Sequence, residues 1–337
     1  MSNGKPNFLA LYFILTPVIL VPVAAILFLL VRGDEGEQLY NKALAAAADG
    51  NYEQAAVAFE AAAKRGHAES CYGLARLYQS GRLKTDNPQE MIYVNLIRAS
   101  LHGSIPAAYE LGRLSLLPPE ADYAQAALYF HTAALGGHAE AQFELGKLYE
   151  QGNGVKKSTL LAKEFYRKAA GQGNAGAQTA LGILLITGND GKPDFKQAEK
   201  YLYQAAGQGY AQAFTALGFI REKSAEKNPD TPIFDAQAGE FYCHAAMLND
   251  PEGLVNYGDW LMRHNECKKA LANYRQAVDK HNFAPAMHRL GVYYFKQSDP
   301  DYKQAKKYFE QAAASGYEPS KKNLQIMADK SAKPTNP

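Results

Sequence analysis

Apolar and small residues recur at helical spacing along most of the chain, in short segments that end at glycine or asparagine. The clearest copy is residues 133–155, AALGGHAEAQFELGKLYEQGNGV, where an alanine-rich helix is followed, after a glycine, by a second helical pattern. Weaker copies follow one another from end to end. A period of about 20–50 residues is typical of repeat proteins. The pattern therefore predicts an all-α stack of helix pairs rather than two closed domains.

Each alanine-rich helix is expected to end at a residue that tolerates a positive φ angle, as C-cap geometry requires. Glycine adopts this conformation most readily and asparagine next. Such cap residues recur at intervals of 33 to 40 residues. They are Gly66, Gly103, Gly137, Gly173, Gly209, Asn249, Asn282 and Gly316. The replacement of glycine by asparagine at two of them supports the alignment independently of the spacing.

A second set of glycines falls nine residues beyond the caps, inside the following helix. They are Gly112, Gly146, Gly182, Gly218, Gly258 and Gly291. A glycine in the middle of a helix costs about 1 kcal/mol relative to alanine. We therefore expect each of these glycines to allow a close contact with a neighbouring helix.

The Ala-Ala-x-x-Gly cap, the Leu-Gly pair and the Gly-x-Gly-Val loop resemble the Sel1-like repeat family, a relative of the tetratricopeptide repeats. The motifs are fullest in residues 137–155 and 162–170, and the resemblance covers about residues 37–327. It implies a right-handed α-solenoid of about eight helix pairs over residues 37–330, closed by a C-terminal capping helix with a polar outer face. Residues 331–337 are expected to form a disordered tail.

Residues 7–31 contain no charged side chain. A helix of about 25 residues is long enough to cross a hydrocarbon core of about 30 Å. Residues 1–31 are therefore predicted to hold one transmembrane helix, joined to the repeats by a linker at residues 32–36. A cleaved signal peptide would have a shorter apolar region that ends in small residues. Lipid attachment is excluded because the first cysteine, Cys71, lies inside the repeats.

The orientation of this segment depends on few charges. Lys5 precedes it, and Arg32, Asp34, Glu35 and Glu37 follow it. The balance favours a single-pass protein of the bacterial inner membrane, with a cytoplasmic N-terminus and periplasmic repeats. Acidic residues count little in this rule, so the preference is narrow.

Composition and motifs give little sign of chemistry. Lys and Arg number 36 against 34 Asp and Glu, so no basic footprint for nucleic acid is expected. The Gly152-x-Gly154 loop follows a helical pattern and not a strand, so it lacks the context of a phosphate-binding loop. No nucleophile lies at a plausible spacing from a base. We therefore predict no catalytic residue, no cofactor and no enzymatic activity.

Four side chains would form a zinc set on composition alone. They are Cys243, His244, His264 and Cys267. Counted from their caps, the two cysteines are offset by nine residues, or about 13 Å along parallel helices at about 1.5 Å per residue. A disulfide requires α-carbons within about 7 Å. Neither a disulfide nor a metal site is predicted.

In tetratricopeptide-like solenoids the first helix of each pair lines the concave face. The resemblance places inward residues three, six, ten and thirteen positions after each cap. Six after the cap, the N-terminal half has four aromatics, and ten after the cap it has three cations. We name these residues the aromatic–cation row: Tyr40, Tyr72, Arg76, Tyr109, Arg113, Phe143 and Lys147. Residues four apart share a helix face, so the row suits an anionic peptide or a polysaccharide with carboxylates. The alternative is packing between helices for the aromatics and solvation for the cations.

Three functions remain open. The anchor and repeats favour a non-enzymatic scaffold that binds other proteins of a bacterial envelope assembly, such as a polysaccharide or protein export apparatus. A second hypothesis, drawn from the resemblance, is a periplasmic regulator that docks on a membrane sensor or enzyme. A third is a hydrolase directed at the cell wall or at β-lactams, for which the sequence offers no catalytic group.

Overall fold

The computed structural model describes residues 35–119, 121–188 and 192–332, which form seventeen α-helices and no strand. The all-helical solenoid predicted from the repeats is confirmed. The predicted transmembrane segment at residues 7–31 lies outside the described residues, as do residues 333–337 of the predicted tail. Among the residues that are described, no helix is both long enough and apolar enough to cross a membrane.

The chain divides after Ser158 into two compact units, which are described separately. The N-terminal unit contains seven of the described helices: α1 (35–48), α2 (Tyr52–Ala63), α3 (Ala68–Gln79), α4 (Pro88–Leu101), α5 (Ile105–Leu114), α6 (Tyr123–Leu135) and α7 (Ala139–Gln151). The C-terminal unit contains ten: α8 (Thr159–Gly171), α9 (Ala175–Thr187), α10 (Phe195–Gly207), α11 (Ala211–Lys227), α12 (Pro232–Met247), α13 (Pro251–Arg263), α14 (Cys267–His281), α15 (Ala284–Phe295), α16 (Tyr302–Ala314) and α17 (Glu318–Ala332). In sequence order these helices make eight pairs, and α17 follows at the expected capping position.

The helix ends depend on residues with a left-handed backbone. All eight cap residues have positive φ angles, from 49° at Asn282 to 96° at Gly103. At Gly137 the amide N–H donates to the Ala134 carbonyl at 3.1 Å, and the His138 N–H donates to the Ala133 carbonyl at 3.1 Å. These two bonds form a Schellman motif, which satisfies the last carbonyls of α6 and turns the chain into α7.

The glycines inside the first helices lie against large side chains of the next helix. A methyl group added to Gly112 would lie 2.6 Å from the Phe130 ring, and one added to Gly218 would lie 2.5 Å from the Tyr242 ring. Such distances are far below van der Waals contact, so only glycine fits. Gly182, Gly258 and Gly291 make the same kind of contact, with Leu202, Tyr274 and Phe309. Close packing thus offsets the low helix propensity of glycine.

Contacts between side chains show which helices of the N-terminal unit are neighbours. Arg98 on α4 donates to both carboxylate oxygens of Glu60 on α2, each at 3.1 Å. Tyr72 on α3 bonds Glu110 on α5 at 2.7 Å. The first helices of the pairs therefore lie beside one another, and so do the second helices. This arrangement sets the six-after and ten-after positions of successive repeats in rows.

The core between these rows is built mainly from alanine and leucine. One cluster of buried residues joins α2 to α5 through Ala63, Cys71, Leu96 and Leu111. Cys71 is a free thiol with no solvent exposure, and burial raises its pKa. Its environment is that of a small core residue rather than a reactive thiol.

Candidate functional site

The aromatic–cation row lies on the first helices of the N-terminal unit. Tyr40 on α1 is half-buried, with its ring centroid 5.8 Å from that of Phe59 and 4.4 Å from the His67 ring. Burial, followed by the carboxylates of Glu69 and Glu37, raises the pKa of Tyr40. Tyr40 therefore packs against the Phe59 and His67 rings, and it also lies near acidic side chains.

The second aromatic residue of the row, Tyr72, and its cation, Arg76, lie at a contact between two repeats. The Tyr72 hydroxyl donates to a carboxylate oxygen of Glu110 at 2.7 Å, and Arg76 Nη1 donates to the same hydroxyl at 3.4 Å. The Arg76 guanidinium also lies 5.9 Å from the Tyr72 ring centroid. Burial and the bond to Glu110 raise the pKa of Tyr72. Arg76 thus lies over the expected aromatic partner, while its exposed side chain remains accessible to solvent.

The third aromatic residue of the row, Tyr109, stacks on a histidine ring that the sequence pattern did not predict. The Tyr109 ring lies 4.3 Å from the His138 ring, with 23° between their planes, and 5.9 Å from Phe130. Burial is the main cause of the raised pKa of Tyr109, and Arg113 acts in the opposite direction. Arg113 is exposed and forms no ion pair with any carboxylate among the described residues. Its guanidinium is therefore available to an anionic group.

At the fourth step, the Lys147 ammonium lies 5.3 Å from the centroid of the Phe143 ring. The same ammonium pairs with Glu144 at 2.8 Å. This cation is therefore partly neutralised before any partner binds. The three cations of the row therefore differ in how strongly they pair with nearby carboxylates.

The repeat spacing identifies the cations of this face but not its carboxylates. Glu110 and Glu144 directly follow Tyr109 and Phe143, so the residue after each aromatic could have revealed them. They take part in a hydrogen bond to Tyr72 and an ion pair with Lys147. The face is therefore of mixed charge. It can accept a partner's carboxylate at a cation, a donor group at a glutamate and an apolar group at an aromatic ring.

The equivalent positions of the C-terminal unit have different partners. Thr215, six after its cap, is buried and donates to Asp250 at 2.8 Å. Asp259, ten after its cap, accepts from Tyr274 at 2.6 Å and from Arg289 at 2.8 Å. The polar groups of these residues therefore have hydrogen-bond partners inside the unit. They stabilise the repeats and leave little capacity for a ligand.

One aromatic–cation contact of the C-terminal unit was also missed. Lys223 lies 5.5 Å from the Phe219 ring, one turn further along α11 and fourteen positions after the cap at Gly209. Lys223 pairs with Glu226, so this contact has the same mixed charge.

The cysteines and histidines considered for zinc have separate partners. His264 stacks on Trp260 at 4.0 Å and contacts Asp235 at 3.0 Å. His244 stacks on Phe214 at 5.4 Å. Burial and the neighbouring Cys243 raise the pKa of Tyr257 to about 12. Within the described part of the chain, no group of three His, Cys, Asp or Glu side chains could hold a metal ion.

Comparison with known proteins supports the repeat assignment. Five segments match the Sel1 repeat model: residues 68–90, 105–138, 139–174, 175–210 and 284–317. The fold is similar to a protective antigen of uropathogenic Escherichia coli with an SLR fold, at 24% identity and a TM-score of 0.67, over 79% of this chain and 58% of that one. It is also similar to a Sel1 repeat protein from Oxalobacter formigenes, at 24% identity and a TM-score of 0.60, over 72% of this chain and 96% of that one.

One curated relative is an exopolysaccharide production negative regulator from Rhizobium meliloti. It is 30% identical over 145 residues, which is 39% of this chain and 54% of the relative. The chain thus matches about half the length of that protein. The repeat matches and the likeness of fold agree: five segments of the chain match the Sel1 repeat, and the described residues form a solenoid similar to those two solved structures.

Proposed function

We propose that the chain is a non-enzymatic scaffold that binds protein partners of a bacterial envelope assembly, such as a polysaccharide or protein export apparatus. Residues 7–31 would anchor it in the inner membrane with the repeats in the periplasm. Its binding surface is the aromatic–cation row of the N-terminal unit. The observation that carries the proposal is the repeated step of half-buried ring and cation, at Tyr72 with Arg76 and at Phe143 with Lys147.

The chemistry of the row favours a peptide segment with carboxylates and apolar side chains. Arg76 and Arg113 are exposed and can bond a carboxylate with two N–H groups. The carboxylates of Glu110 and Glu144 would reject a uniformly anionic polymer more strongly than a segment of mixed sequence. An anionic polysaccharide is therefore the weaker of the two ligands considered from the sequence.

A second function has a specific observation in its favour. The relative from Rhizobium meliloti is named a negative regulator of exopolysaccharide production. A regulator that docks on a membrane sensor or enzyme would use the same row, since both functions require a protein partner. The identity of the captured partner, export component or sensor, separates them.

Crosslinking in membranes tests the proposal. A photocrosslinking residue at exposed Glu140, on the same face of α7, should give a discrete adduct that mass spectrometry identifies. Replacing Arg76, Arg113 and Lys147 together by alanine should remove the adduct without changing helical circular dichroism. The matched control replaces the exposed Lys196, Lys200 and Lys303 of the C-terminal unit and should keep it. An adduct that survives the first triple variant would exclude the row as the binding surface.

A further inference from the structure

The second helices of the N-terminal unit end along one edge. α2 and α4 are joined by the bond from Arg98 to Glu60, and Tyr129 on α6 packs against the buried cluster that contains Ile92 and Leu96 of α4. Since each of these helices runs into a cap residue, their C-terminal ends share an edge, at which the next first helix begins. We name this the cap edge. Its exposed residues include Lys64, Arg65, Leu101, His102 and Leu135.

Two leucines of the cap edge are unusually exposed. Leu101 is 81% exposed and Leu135 is 73% exposed. Each lies two residues before its cap, at Gly103 and Gly137, so they occupy the same level on neighbouring helices. Single exposed leucines are ordinary, whereas a set aligned on one edge indicates a contact surface.

The apolar surface continues from this edge between α2 and α4. A groove of about 670 Å³ lies there, with Val57, Ala61 and Met91 among its lining residues. Lys64 and Arg65 line the same groove at the end of α2. The edge therefore combines aliphatic side chains with cations on long, flexible stems.

The chain also enters the N-terminal unit at this edge. The Glu35 carboxylate, at the start of α1, pairs with the Arg65 guanidinium at 2.9 Å. Val31, the last residue of the uncharged run, is four positions before Glu35. Four residues of extended chain span at most about 14 Å. A bilayer that held residues 7–31 would therefore lie next to the cap edge.

We propose that the cap edge of the N-terminal unit rests on the lipid bilayer that holds residues 7–31. Leu101 and Leu135 enter the interface between headgroups and acyl chains, where their side chains leave water. The aliphatic stems of Lys64 and Arg65 lie beside the same interface. This inference rests on the anchoring in the proposed function and adds the orientation of the repeats.

The orientation has a consequence for partner binding. Tyr72 lies six residues and Arg76 ten residues after the cap at Gly66. At about 1.5 Å per residue these positions are about 9 and 15 Å from the cap edge along α3. With the edge on the membrane, the row would stand above the lipid surface and stay open to a partner in the same membrane.

Fluorescence quenching by lipid tests the contact. The full chain, with Cys243 and Cys267 replaced by serine, is labelled at L101C, L135C or L117C with an environment-sensitive fluorophore and reconstituted into phosphatidylethanolamine–phosphatidylglycerol vesicles. Leu117 is the matched control, since it is 57% exposed and follows the end of α5, at the opposite edge of the unit. Circular dichroism of each labelled chain checks that the repeats remain folded.

Nitroxide-labelled lipid should quench the probes at 101 and 135 at least twofold more than the probe at 117. Equal quenching at all three positions, whether weak or strong, would overturn the inference. If the chain floats with the vesicles in that case, the anchoring stands and the orientation fails. If the chain does not float with vesicles at all, the anchoring and this inference both fail.

Discussion

The hydroxyl group of Tyr72 donates a 2.7 Å hydrogen bond to the carboxylate of Glu110, which lies 38 residues further along the chain. The bond joins the first helices of two successive repeats. Arg76 contacts the same hydroxyl group at 3.4 Å. A residue expected to bind a partner therefore also holds the repeats in register. Stability and binding are linked in this part of the protein.

Replacing Tyr72 by phenylalanine should weaken the repeats without changing their packed volume. Hydrogen bonds to charged groups contribute about 1.5–3 kcal/mol, and partial exposure reduces the effect, so we expect a loss of about 1 kcal/mol in the free energy of unfolding. Urea unfolding followed by circular dichroism measures it. The control, Tyr123→Phe, changes an exposed tyrosine at the start of α6 and should stay within about 0.5 kcal/mol of the wild type.

Alanine at Gly218 should destabilise the protein although alanine is the better helix former. The added methyl group would meet the Tyr242 ring at 2.5 Å, and overpacking of this kind costs about 1–3 kcal/mol. Gly207 provides the control, because nothing lies within 4 Å of an added methyl group there. Gly207→Ala should be neutral or stabilise by up to about 1 kcal/mol. Thermal unfolding of both variants checks the prediction, and a stabilised Gly218→Ala would contradict it.

The sequence predicts the helix ends well because their chemistry is local. Few residues accept a positive φ angle, so glycines at regular intervals, with Asn249 and Asn282 in place of two of them, mark the caps without any knowledge of the packing. The glycine inside each first helix could be predicted for a similar reason, since a costly residue requires a packing partner. Which side chain it meets, such as Phe130 at Gly112, depends on the register of the next helix.

The site was harder to predict because its charges pair across repeats. Glu110 bonds a tyrosine of the preceding repeat, and this pairing depends on how the first helices are staggered. The stack of Tyr109 on His138 likewise depends on the approach of α7 to α5. Spacing within one repeat gives the rows of residues. It does not predict which side chains of the next repeat the residues of each row contact.

The end of the C-terminal unit should be less stable in mild acid. His288 is buried, its Nδ1 lies 2.9 Å from the Ser320 hydroxyl, and its ring contacts Phe309 and Tyr317. Burial, followed by the charge of Arg289, lowers the pKa of His288 in the folded state, while Asp259 acts in the opposite direction. In the unfolded chain the pKa is about 6.5. Stability is therefore fully present above about pH 6.5 and is lost as the pH falls below it.

Unfolding experiments at pH 7.5 and pH 5.5 measure this effect. The wild-type protein should lose more free energy of unfolding between the two pH values than His288→Gln, which retains a polar group but does not titrate there. Subtracting the loss in His288→Gln from the loss in the wild type cancels the contribution of the other histidines to the pH dependence. Equal losses in both would show that His288 does not contribute to the acid sensitivity.

Arg113 should matter more than Lys147 for partner capture. Both cations lie ten residues after a cap, so the sequence pattern treats them alike. Lys147 is held by Glu144 at 2.8 Å, and a partner's carboxylate must compete with that pair. Arg113 is exposed, has no ion pair with a carboxylate of the described chain, and offers two parallel donors to a carboxylate. The bond that Arg113 makes on binding therefore replaces no ion pair among the described residues.

We expect Arg113→Ala to reduce the yield of the Glu140 photocrosslink about tenfold, which corresponds to about 1.4 kcal/mol. Lys147→Ala should reduce it by less than about threefold, because the ion pair with Glu144 already neutralises part of the Lys147 charge. Arg113→Lys distinguishes charge from geometry: lysine keeps the charge and loses the paired donors, so a carboxylate partner should be recovered only in part. Full recovery would indicate a purely electrostatic contact. An equal loss for the alanine variants at 113 and 147 would show that the Glu144 pair does not limit access to the row.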